Sequence, residues 1–210
     1  MAGAAAAVES RDRFGIGWRP RLAAGILAHL DRIDLIEVIA EDYFDAPRRD
    51  LRALQTLAAQ VGIVLHGVSL GLASIVPVEP RRLDRIARLI EATGAESWSE
   101  HLAFVRGGGI EIGHLAAPPR NEASVEGACR NLERSAQIVG CAPQVENIAT
   151  LVEPRRADWT KQSGSSRSSA ERASDYCSTF IIFMPMRSIS ATIRTRSCAG
   201  CPSSVSPPCT

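Results

Sequence analysis

Between Phe14 and about Thr160 the chain repeats one pattern: a short apolar run, then a segment whose apolar residues return at helical spacing. "FGIGW" leads into "RPRLAAGILAHLDRI", where Leu22, Ile26, Leu27 and Leu30 recur with the helical period. "DLIEVIAEDYF" reads as a strand and "APRRDLRALQTLAAQV" as a helix. "GIVLHGVSL" is again strand-like, and "EPRRLDRIARLIEATG" is helical with a glycine stop at Gly94. After "ESWSEHLAFV" comes the irregular "RGGGIEIGHLAAPPRN", then a helix at "EASVEGACRNLERSAQIVG" and a last run, "APQVENIAT". Strand-like runs separated by helices predict parallel βα units and an α/β fold. The glycines of "RGGGIEIG" lack the Lys-Ser/Thr ending and following helix of a phosphate loop, so a hairpin is expected there.

The strand-like runs carry residues a buried parallel sheet should avoid. Glu37, Glu41, His66, Glu100, His101 and Glu146 lie within or at the ends of them. Such groups are costly inside a closed barrel unless they are paired or bound to a metal. In (β/α)8 barrels the functional groups collect at the carboxyl ends of the strands, where residues distant in sequence converge. Histidine and glutamate at successive strand ends therefore predict a metal-holding barrel mouth suited to an octahedral transition metal. Taken alone, His66 reads more readily as a satisfied core histidine than as a ligand. His29 is expected to be exposed on its helix, and His114, after a glycine-rich turn, is not counted among the ligands. The pairs Arg48–Arg49 and Arg81–Arg82 begin helices and read as solvated faces. Cys129 and Cys141 read as small packing residues.

Charge and composition narrow the partners. A net charge of +1 gives no electrostatic pull toward nucleic acid or an anionic membrane. No apolar stretch approaches the roughly 18 residues of a membrane span. The Ala-rich opening "MAGAAAAVES" lacks the basic start and apolar length of a signal peptide, so residues 1–13 are expected to form a flexible terminus of a cytoplasmic protein. Four of the six cysteines crowd the last part of the chain, with Cys198 and Cys201 in "CAGC". That pair has neither the strand–helix context of a redox site nor a second ligand pair for zinc.

At "VLHGVSLGL", "WSEHLAF" and "VENIAT", together with "GIGWRP" and "IEVIAEDYF", the chain resembles the multinuclear iron-dependent oxidase (MNIO) family, formerly domain-of-unknown-function family 692. Its members include the iron enzyme of methanobactin biosynthesis. The resemblance covers residues 14–160 with the motifs in family order. It implies a TIM-type (β/α)8 barrel, here truncated to about five βα units, holding two or three irons at its mouth. It also implies oxidation of cysteines in a ribosomally made precursor peptide with dioxygen, helped by a small recruiting partner protein. His66, His101 and Glu146 match family iron ligands. Glu41, Glu100 and Asn147 are candidates for orienting those ligands from behind. No residue is matched to a catalytic role beyond the metal.

Residues 161–210 depart from this order: serine makes up about a quarter of them and no element can be placed. Family members carry further ligands downstream, beginning with a D-V-H/N-N motif, which this stretch lacks. Codons encoding "CSTFIIFMPMRSISATIR" can be chosen so that reading from the third base gives "LDVHNLYANAINFGYDP", which restores that motif. The expectation is an out-of-frame tail after a slip near Lys161, and a chain that lacks oxidase activity because half of its mouth is missing. Two other readings stay open: a different divalent-metal barrel of the isomerase or endonuclease kind, and a non-catalytic remnant that binds a partner protein. Sequencing the DNA across the codons for Asp158 to Ser163 is expected to reveal an alternative frame carrying the aspartate and histidine partners; a gene without one rejects the slip.

Overall fold

The computed structural model describes residues 12–148. The expected flexible start (residues 1–13) lies almost wholly outside the described residues, as do Thr150, the proposed boundary near residue 160, the Ser-rich tail and its cysteines. Within the described part, β1 (Gly15–Gly17) leads through a 3-10 turn at Pro20–Leu22 into the short α1 (Ala23–Ala28). Then come β2 (Leu35–Ile39), a 3-10 turn at Ala40–Tyr43 and α2 (Arg48–Ala58). β3 (Gly62–Gly67) and α3 (Pro80–Thr93) form the next unit. β4 (Ser97–His101) is followed by a hairpin of β5 (Phe104–Gly107) and β6 (Ile110–Ala116), then α4 (Glu122–Val139) and β7 (Gln144–Glu146).

β1, β2, β3, β4 and β7 form one parallel sheet in chain order. A sheet that never reverses its strand order is built like an arc of a TIM-type barrel, in line with the expected truncated (β/α)8 architecture. The antiparallel hairpin lies outside this sheet, as the glycine-rich stretch predicted. One expected strand, "ESWSEHLAFV", divides in two: β4 ends at His101, and the chain turns into β5 at Phe104. Ala103, fully buried at that turn, accepts a backbone hydrogen bond from Ala73 (3.0 Å). The helical period over residues 19–33 is also broken. With 3-10 turns at both ends, α1 keeps only Ile26 buried, and Leu22 and Leu27 are exposed.

Side chains alternate across each strand. Ile36 and Val38 of β2, Ile63 and Leu65 of β3, Trp98 of β4 and Val145 of β7 belong to one core with Leu54 and Leu57 of α2, Leu83, Ile86 and Leu89 of α3, and Leu132 of α4. Cys129 and Cys141 pack half-buried against this core. The intervening strand residues, among them Glu37, His66, Ser99, His101 and Glu146, occupy the other face. Trp98 is sealed from solvent, and its indole N–H donates to the Cys141 carbonyl (3.1 Å). At the opposite end of the strands, Arg13 clamps Glu96 (2.9 Å for Nη2 to Oε1), joining the start of β1 to the start of β4.

Helix ends follow their sequence signals. Pro80 starts α3, and Gly94 closes it at φ +64°, a conformation that favours glycine. Asn121 caps α4 by accepting from the Ser124 N–H. α4 then fixes the long β3–α3 loop from above. The buried Asn131 donates to the carbonyls of Leu72, Ser74 and Val76 and accepts from the Val78 N–H at 2.9–3.2 Å. One turn earlier, a Cβ on Gly127 would stand 2.6 Å from the Ser74 carbonyl oxygen, so only glycine lets the helix approach. Replacing Asn131 by Ala orphans buried backbone groups and is expected to cost about 2–4 kcal/mol, and Gly127→Ala about 1–3 kcal/mol, in urea unfolding followed by circular dichroism. Wild-type midpoints in both variants would refute this docking role.

Candidate metal centre

His66 ends the apolar part of β3, His101 is the last residue of β4, and Glu146 is the last of β7. Parallel pairing aligns these ends: His101 is in register with Glu146, and His66 with Ser99. One ligand atom from each of His66, His101 and Glu146 lies within 4.8 Å of the other two. Glu146 Oε2 stands 3.7 Å from His101 Nε2 and 4.0 Å from His66 Nε2. Ligands bonded to one ion at about 2.1 Å sit roughly 3–4 Å apart, so these separations suit a shared ion. The imidazoles meet edge to face, with ring centroids 4.6 Å apart. Two imidazoles and one carboxylate leave positions open on an octahedral ion, the arrangement associated with non-heme iron.

The histidines are prepared for this role differently. His66 Nδ1 is 2.8 Å from Ser99 Oγ. With Nδ1 protonated and donating to that oxygen, Nε2 presents its lone pair toward Glu146. Burial lowers the His66 pKa, and the neighbouring His101 lowers it further, which favours the neutral, ligating form. His101 Nδ1 is buried without a hydrogen-bond partner among the described residues, 4.0 Å from Glu100 Oε1. The two histidine side chains are largely buried, whereas that of Glu146 is 58% exposed, so the site opens on the Glu146 side.

The carboxylates expected behind the ligands hold backbone. Glu41 lies in the 3-10 turn after β2; its Oε1 accepts from the Val68 N–H (3.0 Å), and its Oε2 is buried without a partner among the described residues. Glu100 is 1% exposed on the helix-facing side of β4. Its Oε2 accepts from the Leu70 N–H (3.1 Å) and its Oε1 from the His101 N–H (2.8 Å). Asn147 is exposed just past β7. His114 is exposed on β6 and His29 on the surface beyond α1, both outside the cluster.

One contributor escaped sequence reasoning. Ser99 has a signal in hindsight, because it lies two residues before His101 and must share its face of β4. Glu37 of β2, already among the strand carboxylates noted in the sequence but without an assigned role, faces the same side, and burial raises its pKa.

Burial pushes the Glu100 carboxyl up to about 8, against backbone N–H groups that favour its charged form. A glutamate raised in the folded state stabilises fully below its unfolded pKa, near 4.5, and loses that contribution as pH rises through the folded value. Metal-free wild type is therefore expected to lose on the order of 4 kcal/mol relative to Glu100→Gln between about pH 4.5 and 8. Parallel pH profiles of unfolding free energy for the two proteins would contradict this.

Comparison with known proteins places the chain in a family. The family model for "RiPP precursor modification enzyme MbnB/TglH/ChrH" matches residues 13–164. A UPF0276 protein of Streptomyces avermitilis is 36% identical over 146 residues, 66% of this chain and 29% of that protein. UPF0276 proteins of an Anaeromyxobacter species and of Acaryochloris marina are 28% and 29% identical, over 69% and 70% of this chain and 51% and 53% of theirs. The chain thus spans from under a third to about half of the length of these relatives. Among solved structures, it is similar to D-psicose 3-epimerase of Clostridium cellulolyticum H10, with 11% identity and a TM-score of 0.47 over 77% of this chain and 60% of that one. Since the family match takes in well over half of the chain, including all three converging residues, the chain belongs to the MbnB/TglH/ChrH family of RiPP precursor modification enzymes.

Proposed function

We propose that His66, His101 and Glu146 hold an iron ion, and that the whole protein oxidises cysteine residues of a ribosomally made precursor peptide with dioxygen. The observation that carries this reading is the meeting of two imidazoles and one carboxylate at distances one ion can span. Family membership supports a peptide as the substrate class. Bound there, iron would supply dioxygen activation beside a position that a soft cysteine thiolate can fill.

The chain's own residues supply the holder. Ser99 fixes the His66 ring through Nδ1, and burial favours the neutral form of that ring. Glu41 and Glu100 hold the backbone leaving β3, so His66 is presented from a fixed strand end. The exposed Glu146 side leaves a path for a peptide. Further ligands for a second or third iron belong, on this reading, to the part of the family fold beyond residue 148. A small partner protein recruits the precursor, and the protein works in the cytoplasm; among the described residues no helix is long and apolar enough to cross a membrane. These 210 residues bind metal without completing the oxidation, because the downstream ligands are wanting.

Anaerobic titration with Fe²⁺ is expected to show one bound ion in wild type. His66→Ala, His101→Ala and Glu146→Gln should each weaken binding by more than the roughly 10- to 100-fold that losing a partner behind a ligand costs. Retention of manganese in preference to iron, against the usual order of affinities, would reject the oxidase reading in favour of an isomerase or endonuclease. Mass spectrometry of a cysteine-containing precursor after incubation with the iron-loaded chain in air should show no oxidised product, and an oxidised product would overturn the claim of inactivity.

A further inference from the structure

The segment leaving β3 immediately after His66 and Gly67 is held on both sides of its backbone. The Val68 and Leu70 N–H groups point to carboxylates, Glu41 from the end of β2 and Glu100 from β4. The carbonyls of the same segment point the other way, to a single guanidinium. Arg106 of β5 donates from Nη1 to the Leu70 carbonyl (3.0 Å) and from Nη2 to the Ser69 carbonyl (2.8 Å). Its Nε–H donates to Glu111 Oε1 on the paired strand β6 (3.2 Å), and that carboxylate also accepts from Arg82 of α3 (2.8 Å). Only 16% of the Arg106 side chain is exposed.

Further contacts join the same two pieces of chain. A Cβ on Gly71, which adopts φ +71°, would come 3.0 Å from Val105 Cγ2. The Ala73 N–H donates to the Ala103 carbonyl. β5 begins three residues after His101, and the clamped loop begins two residues after His66. Arg106 thus bridges the chain leaving one histidine to the chain leaving the other. A planar fork with several fixed donors suits the gripping of two successive carbonyls, which a lysine's single ammonium cannot reproduce.

We propose that Arg106 is a positioning residue of the metal centre: by gripping the Ser69 and Leu70 carbonyls it fixes His66 relative to His101. The proposal rests on the metal reading given above and assigns Arg106 no contact with metal or substrate.

The test uses Co²⁺ as the probe ion with the full 210-residue chain. Its visible absorption reports ligand geometry, and its titration reports affinity. Arg106→Gln is expected to weaken Co²⁺ binding roughly 3- to 10-fold, at or below the low end of what a partner behind a ligand contributes, and to shift the visible bands. Arg106→Lys serves the same purpose if the glutamine variant does not fold. Gly127→Ala is the control, because it strains the same long loop from α4; it should lower stability and leave the Co²⁺ spectrum and affinity unchanged. Wild-type affinity and bands in a folded Arg106 variant would overturn the proposal while leaving the metal reading intact. Equal weakening in Gly127→Ala would also overturn it, since general loosening would then suffice. Failure of the wild-type chain itself to bind Co²⁺ would remove the metal reading and the proposal together.

Discussion

Neighbouring residues on a strand must face opposite ways, and the site depends on that constraint. On β4 it sends Trp98 and Glu100 toward the helices and Ser99 and His101 to the other side. On β3 it gives Leu65 to the core and His66 to the cluster. A one-residue slip in either strand would exchange the two sets, burying imidazoles among leucines and turning tryptophan outward. The Trp98 indole bond to Cys141 and the density of the helix-facing core oppose that slip. The same packing that stabilises the sheet therefore aims its polar residues.

Glu100 shows how acidic groups serve a barrel of this kind. It lies beside a candidate ligand in sequence, yet its oxygens reach the backbone N–H groups of Leu70 and His101. Glu41 treats Val68 in the same way. A loop buried near strand ends must satisfy its amides, and two carboxylates from neighbouring strands do so here. Arg106 satisfies the carbonyls of the same loop. Three ionisable side chains thereby act on one short segment without requiring contact with an ion.

Much of this was legible in the chain itself. The strand-like runs gave the parallel order, and the histidines and glutamates on them gave six candidates, of which the family resemblance singled out the three that meet, His66, His101 and Glu146. Local signals also marked the hairpin, the glycine stop at Gly94 and the exposed His29. Other features depended on distance in space. Arg13 finds Glu96 across most of the sheet, and Arg106 finds carbonyls on a different βα unit, pairings that no period or spacing encodes. α1 misled because six residues between 3-10 turns cannot sustain an amphipathic stripe. β4 and β5 read as one strand because the turn between them is made by the apolar residues Leu102 and Ala103, without glycine or proline to mark it.

The excursion between β4 and β7 is topologically a detour: hairpin and α4 leave the sheet and return beside the strand they left. His101 and Glu146 are adjacent because those strands pair, whatever the length of chain between them. That makes the hairpin tip, from Gly107 to Ile110, a natural graft point. New recognition surfaces can be installed there without redesigning the ion holder, provided each graft keeps a guanidinium at its stem.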